Sequence, residues 1–374
     1  MNRSLLFALL ILLAVRVSFI AADPIGSDDL YRYMWDGRVQ SAGINPYRFA
    51  PSDTALAPLH TSRLPVLVNH PGMKTIYFPL SQWIFVAATF LSGDQVWGFH
   101  ILILLAECMT VTGLLQLTRL LGFSPWYVLL YAANPLVVYQ FALDSHVDVF
   151  GFPFLVFGLL FFFRQRTTPA LLLLGCSMQI KPIAAAFLPI IFFSVKGAGR
   201  KAAVLLVPLL CLAVPFLPYM IDANPFESLT TFSRHWFFNG ALFSILLPLF
   251  DDNQTARLWS MGILVPLIAL VTWSRRPLPE RIVLAVLVTL LCSPVAHPWY
   301  MGWLIAVLPL APLPAGIALA ATASFSTITF VMYELHGEWR DYPGILALEY
   351  VPVVLLLIRD LLPHRSGVAK EIPG

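Results

Sequence analysis

"SDDLYRYMWDGRVQSAGINPYRFAP", residues 27–51, follows an apolar run at residues 4–22, and its reading decides how the rest of the chain is understood. Taken as a helix over 28–39, it sets Asp29, Arg32 and Asp36 on one face, at spacings of three and four. Leu30 and Met34 fall on a second face, Tyr31 and Trp35 on a third. Such a helix is expected to rest in a membrane interface with its aromatic rings at headgroup level. Its polar face then points into a cavity above a helix bundle. Ser27 or Asp28 is the expected N-cap, and Gly43 to Tyr47 forms a turn that ends the element.

Composition places that helix in its setting. The chain has 374 residues, 59% hydrophobic and 11% charged, with a mean hydropathy of +0.79. Soluble domains carry about 25% charged residues, so the chain reads as an integral membrane protein. Apolar runs recur to the end, 30 prolines punctuate them, and no short segments alternate strictly. That pattern predicts an all-α polytopic helix bundle rather than a barrel. A net charge of +3 gives no sign of a nucleic-acid partner. Cys108, Cys176, Cys211 and Cys292 lie in apolar runs without metal-ligand spacing and read as reduced core residues.

Basic residues set the expected topology, because Lys and Arg mark the cytoplasmic ends of spans. The run at 4–22 exceeds a signal-peptide core in length and reads as a retained anchor. Arg3 then places the N-terminus inside, and Arg359, Arg365 and Lys370 place the C-terminus there too. The expected layout is a single membrane domain: helix one at 1–22, an external loop with juxtamembrane segments at 23–95, the bundle at 96–358, and a cytoplasmic tail at 359–374. Segment 76–92 reads as juxtamembrane or re-entrant, and 169–195 as two short helices meeting at Lys181-Pro182. About ten full crossings plus that pair follow. Asp28/Asp29, "DSHVD" at 144–148, "FSRHWFFNG" at 232–240 and "SPVAHPWY" at 293–300 then share the external face.

Each cluster has a candidate chemistry and a plainer structural reading. Asp29 is the stronger candidate for a functional carboxylate, and Asp28 is explained as well by capping. Asp144, His146 and Asp148 suit a substrate contact, a metal or a solvated helix end. His297 with Trp299 and Tyr300 can grip an anionic headgroup or stack on a sugar ring; Pro298 equally marks a helix start. Lys181 in an apolar stretch is costly and therefore a functional candidate, unless it snorkels to an interface. Lys74, Arg63, Arg234 and His235 supply positive charge suited to phosphate.

"DDLYRYMWDGRVQSAGINPY", "TIYFPLSQ", "NPLVVYQFALDSHVD", "MQIKPIAAAFLP" and "HPWY", in that order over residues 1 to about 305, resemble the GT-C fold glycosyltransferases. The likeness is to polyprenyl-phosphate-sugar-dependent members near the GT87 and bacterial mannosyltransferase groups. It implies about 10–13 transmembrane helices, with a polyprenyl-phosphate sugar as donor and a lipid or glycan as acceptor. It maps the family's general base onto Asp29, with Asp28 beside it, and the family's juxtamembrane lysine onto Lys74. His297 falls in the late external element and Lys181 in the short-helix pair. The resemblance implies no metal and no further cofactor, since the leaving group is a lipid monophosphate; Asp148 leaves the metal-using variant open. Mannose is the sugar most often implied, with arabinose and glucose also open.

Glycosyl transfer from a lipid phosphate needs a base, a cationic clamp on the leaving phosphate and a cavity that excludes water. Desolvation above an apolar bundle is expected to raise the pKa of the base. A transporter of a lipid-linked sugar also needs a polar cavity, but favours internal repeats and midplane sites. A non-catalytic scaffolding subunit is a third reading.

Overall fold

The computed structural model describes residues 2–361, whose regular secondary structure is helical apart from one isolated parallel bridge, Phe238–Val295. Tail residues 362–374, with Arg365 and Lys370, lie outside the described residues. The protein is an all-α polytopic membrane protein. Its first elements are α1 (Arg3–Val17), α2 (Asp29–Ser41), α3 (Pro79–Ser92) and α4 (Trp97–Leu120). A helix broken at Asn134-Pro135 follows as α5, its halves Pro125–Ala132 and Pro135–Leu143 bent by 49°. Then come α6 (Val147–Phe163), α7 (Thr167–Met178), α8 (Pro182–Ser194) and α9 (Ala198–Ile221). The chain continues with α10 (Glu227–His235), α11 (Ala241–Phe250), α12 (Asn253–Trp273) and α13 (Leu278–Cys292). It closes with α14 (Pro298–Leu310), α15 (Pro314–His336) and α16 (Pro343–Leu361).

Proline placement explains why these helices are short. By length and composition α4, α9, α12 and α15 can each cross a membrane, and α5 makes a fifth if its bent halves count together. The expectation of about ten crossings counted apolar runs as though each were one regular helix. Several are instead short helices with 3₁₀ turns, which rise about 2.0 Å per residue against 1.5 Å in an α-helix. The two short helices meeting at Lys181-Pro182 are present as α7 and α8. The apolar helix α11 was not counted in the expected layout.

The core sits around α13, whose stretch Ile282–Leu287 is fully buried. That helix contacts α8, α11, α12 and α14, while α4, α6, α7 and α9 pack in a row of their own. Leucines of α9 and α12 such as Leu205, Leu209 and Leu258 face outward, as an apolar solvent requires. Among the cysteines only Cys292 is in the core; Cys108 is exposed and Cys176 and Cys211 are half-buried. The core reading thus fails for Cys108, whose helix turns that face toward lipid. Arg16 on α1 meets Glu107 on α4, Nε to Oε1 at 2.9 Å, with both side chains buried.

α2 forms where the spacing places it, but it does not rest at an interface. Trp35, Tyr33 and Leu30 are buried, Trp35 with its edge toward His60. Helix α3 packs along α2 at Gly37, where a Cβ would stand 2.6 Å from the Phe85 carbonyl oxygen. The expected polar face is divided. Arg32 Nε binds Asp36 Oδ1 at 3.0 Å, and Gln82 Nε2 donates to Asp36 Oδ2 at 3.0 Å, sealing that pair inside. Asp29 and Arg32 line the cavity at the helix start.

Candidate active site

A cavity of about 2030 Å³ opens over the start of α2. Its wall includes Asp28, Asp29, Arg32, Lys74, Asp148, Lys181, His235, His297, Trp299 and Tyr300. Sites spread over some 270 residues of chain thus converge on one space. Arg63 and Arg234 are not among the described residues that line it. Arg63 is held by Asp23 at 2.6 Å and lies over the Tyr31 ring, while Arg234 is exposed.

The segment before α2 is pinned from across the bundle. Asp144 Oδ1 accepts the N–H groups of Ile25 and Gly26, both at 3.0 Å. Gly26 permits that approach, since a Cβ there would stand 2.7 Å from Asp144 Oδ2. Asp28 occupies the N-cap position without a side-chain cap bond; the Ser27 hydroxyl accepts the Asp29 N–H at 3.2 Å instead.

Both carboxylates at the helix start are therefore free for other partners. Asn69 Nδ2 donates to Asp29 Oδ1 at 2.6 Å and to Asp28 Oδ1 at 2.9 Å. Tyr33 Oη donates to Asp29 Oδ2 at 3.3 Å, and His146 Nδ1 stands 3.4 Å from that same oxygen. Asp28 titrates above its ordinary value because burial and the neighbouring Asp29 charge outweigh the Asn69 hydrogen bond. Burial pushes Asp29 up as well. The adjacent His146 imidazole, joined by the Asn69 amide, reverses that and holds it below the ordinary value. The expected upward shift thus belongs to Asp28, and Asp29 is the carboxylate kept ionised.

The "DSHVD" cluster does not act as one group. Its carboxylates and imidazole are all buried, and their side chains diverge. Asp144 holds the Ile25 and Gly26 amides and His146 faces Asp29. Asp148 Oδ1 accepts from Lys181 Nζ at 2.5 Å and from Trp303 Nε1 at 2.6 Å. Lys181 Nζ also sits 3.4 Å above the Tyr300 ring, so its charge faces both a carboxylate and a π-face. Lys74 Nζ is paired with Glu227 Oε2 of α10 at 2.7 Å and remains partly exposed.

A column of flat rings starts beside Asp29, at His146. His146 stacks on Trp299 at 3.8 Å, Trp299 on His297 at 4.2 Å, and His297 on Phe238 at 4.6 Å. Burial lowers the His297 pKa to about 3, so its ring is neutral near neutral pH. Burial raises the Tyr300 phenol, which stays protonated. Beyond the column the wall turns apolar, with Phe226, Leu229, Phe232, Met261, Val331 and Leu335.

Chemically, the arrangement offers an ionised carboxylate oriented by an amide and an imidazole. It adds ammonium groups in the same wall, the edges of a stacked ring column, and apolar wall residues. Asn69 and Tyr33 were not foreseen as site residues. Asn69 stands in "VNHPGMK", a turn-forming stretch that signals a loop rather than chemistry.

Residues 7–197 match the family described as Alpha-(1->6)-mannopyranosyltransferase, N-terminal domain. A curated relative, Alpha-(1->6)-mannopyranosyltransferase A of Corynebacterium glutamicum, is 26% identical over 187 residues. That alignment covers 48% of this chain and 37% of the relative. No solved structure gave a significant match. Both matches agree with the mannosyltransferase resemblance carried by the motifs.

Proposed function

This chain belongs to the alpha-(1->6)-mannopyranosyltransferase family, and from that premise we propose that it is a GT-C-type mannosyltransferase. Its donor is a polyprenyl-phosphate-linked mannose and its acceptor a hydroxyl of a lipid-linked or free glycan. The reaction takes place at the extracytoplasmic face of the cell membrane, with both termini cytoplasmic. The observation that carries the proposal is Asp29. It is an ionised carboxylate at the rim of a large cavity whose walls are cationic on one side and apolar on another.

In the proposed reaction Asp29 accepts the proton of the acceptor hydroxyl as its oxygen bonds to the anomeric carbon. The anomeric C–O bond to phosphate breaks on the opposite face, giving inversion and releasing polyprenyl phosphate. A low-pKa carboxylate is the weaker base, but it is fully available at neutral pH, where a raised one is partly protonated. Lys74 and Lys181 are the cations nearest to hand for the leaving phosphate, and the Phe226 to Leu335 wall suits an isoprenoid chain. Trp299, stacked on both faces, can present only its ring edge to a sugar, beside Tyr300, one face of which carries Lys181. Donor and acceptor are the groups supplied from outside in this scheme.

Purified protein in lipid nanodiscs, given polyprenyl-phosphate mannose labelled in the sugar and a glycan acceptor, is expected to yield labelled glycan and free polyprenyl phosphate. Movement of intact donor across a vesicle membrane without cleavage instead establishes the transporter reading. The sidedness is checked separately by a cysteine at position 25, where Ile25 is 77% exposed. Labelling by an impermeant maleimide only after permeabilisation overturns the extracytoplasmic assignment.

A further inference from the structure

Beyond the family-matched region, three polar groups converge on one buried asparagine. Asn239 is 3% exposed and holds a left-handed backbone, φ +52°, which asparagine tolerates better than most side chains. Its Nδ2 donates to Glu349 Oε1 and Oε2, each at 3.1 Å. Its N–H donates to Asp341 Oδ1 at 2.9 Å, and its carbonyl accepts from Tyr350 Oη at 2.7 Å. Glu349 and Tyr350 lie on α16, and Glu349 is fully buried.

The neighbouring residue carries this anchorage to the cavity. Phe238 N–H donates to the Pro294 carbonyl at 3.0 Å, and the Ala296 N–H donates to the Phe238 carbonyl at 2.8 Å. The Phe238 ring caps the stacked column at His297. Asn239 and Glu349 are not among the described residues that line the cavity, so they touch no substrate there. A buried carboxylate inside a membrane helix is costly unless its hydrogen bonds are made. Here both oxygens are used on a single side chain.

We propose that Glu349 and Tyr350 latch Asn239, so that α16 holds His297 and Trp299 against His146 through the Phe238–Val295 pairing. Asn239 is then a positioning residue for the ring wall of the site. Its consequence for turnover rests on the mannosyl-transfer reading; its effect on the wall does not.

Histidine carbethoxylation by diethylpyrocarbonate, read residue by residue by mass spectrometry on the full chain in nanodiscs, tests the latch without any assay of activity. Asn239→Gly removes the amide and tolerates the left-handed backbone, while Glu349→Leu removes the acceptor and keeps bulk. Each is expected to speed labelling at His297 about tenfold, the factor carried by one net hydrogen bond. His100, 4% exposed on α4, should not change. Glu349→Gln retains an acceptor oxygen and should stay within about twofold of the parent protein. Tyr350→Phe, which removes only the hydroxyl and its two contacts with Asn239, supplies the measurement if either disruptive variant fails to insert. Equal rises at His297 and His100 report general loosening and overturn the latch, as does an unchanged His297. If His297 labelling rises while no form of the protein transfers mannose, the latch stands and the transfer reading falls.

Discussion

The two sides of the cavity hold their functional groups by different physics. On the α2 side, Asp29 is fixed by directed contacts: an amide at 2.6 Å, a phenol at 3.3 Å and an imidazole at 3.4 Å. On the other side, His297 and Trp299 are held face to face by stacking, in the column that starts at His146. Hydrogen bonds fix a charge and an angle; stacked rings fix a plane and exclude water. In the proposed reaction the first arrangement suits proton chemistry and the second the shaping of the substrate site.

Substitution of the base puts that division under the hardest strain. Asp29→Asn keeps the shape and one acceptor oxygen, and is expected to cut transfer by roughly 10²–10⁴, the usual worth of a general base. Asp28→Asn, at a position that makes no cap bond, should cost less than about tenfold. Initial rates with labelled donor on folded, inserted protein decide between them. A dead Asp28→Asn beside an active Asp29→Asn moves the base by one residue.

Next in size is the cationic rim. Lys74→Ala should lower donor kcat/KM by about ten- to a hundredfold, the range for a hydrogen bond to a charged group, with acceptor KM little changed. An unaltered donor dependence removes Lys74 from the clamp and leaves Lys181 in its place.

The third test sharpens the assignment of proton chemistry to one side. His146→Phe keeps a ring against Trp299 but deletes the imidazole whose approach lowers Asp29. With burial then dominant, the Asp29 pKa rises and the acid limb of the pH–rate profile moves to higher pH. Activity falls most on the acid side, about tenfold for every pH unit by which that limb moves, and the loss fades as pH rises. A profile lowered equally at every pH contradicts the role given to His146.

Smallest of all should be Arg63→Ala and Arg234→Ala, within about twofold of the parent in transfer rate, because surface changes away from such sites rarely do more. A large loss in either would mean that the cavity extends further than its described wall.

Legibility in the sequence divides along the same line. The spacing of Asp29, Arg32 and Asp36 gave α2 to within a residue or two, and Lys181-Pro182 gave the break between α7 and α8. Those signals are local, and local periodicity survives in a sequence. Asn69 reaches Asp29 across 40 residues, Trp303 reaches Asp148 across 155, and Asn239 reaches Glu349 across 110. No spacing rule reports contacts made by folding distant segments together. The burial of Trp35 was likewise hidden, because a tryptophan facing lipid headgroups and one facing α3 and its loop read alike. The pKa direction of Asp29 failed for the same reason: desolvation was foreseen, and the imidazole that outweighs it was not.

The buried pair of Arg16 and Glu107 bears on how the chain is made. As α1 emerges from the ribosome it carries a guanidinium that has no carboxylate to meet until α4 is synthesised, 91 residues later. A lone arginine in a 15-residue apolar helix disfavours full burial in lipid, so α1 is expected to linger at the insertion machinery or near the headgroups. Arrival of Glu107 neutralises it and draws both helices inward together. The order of synthesis is then written into the order of assembly, with α1, made before α4, seated only after it.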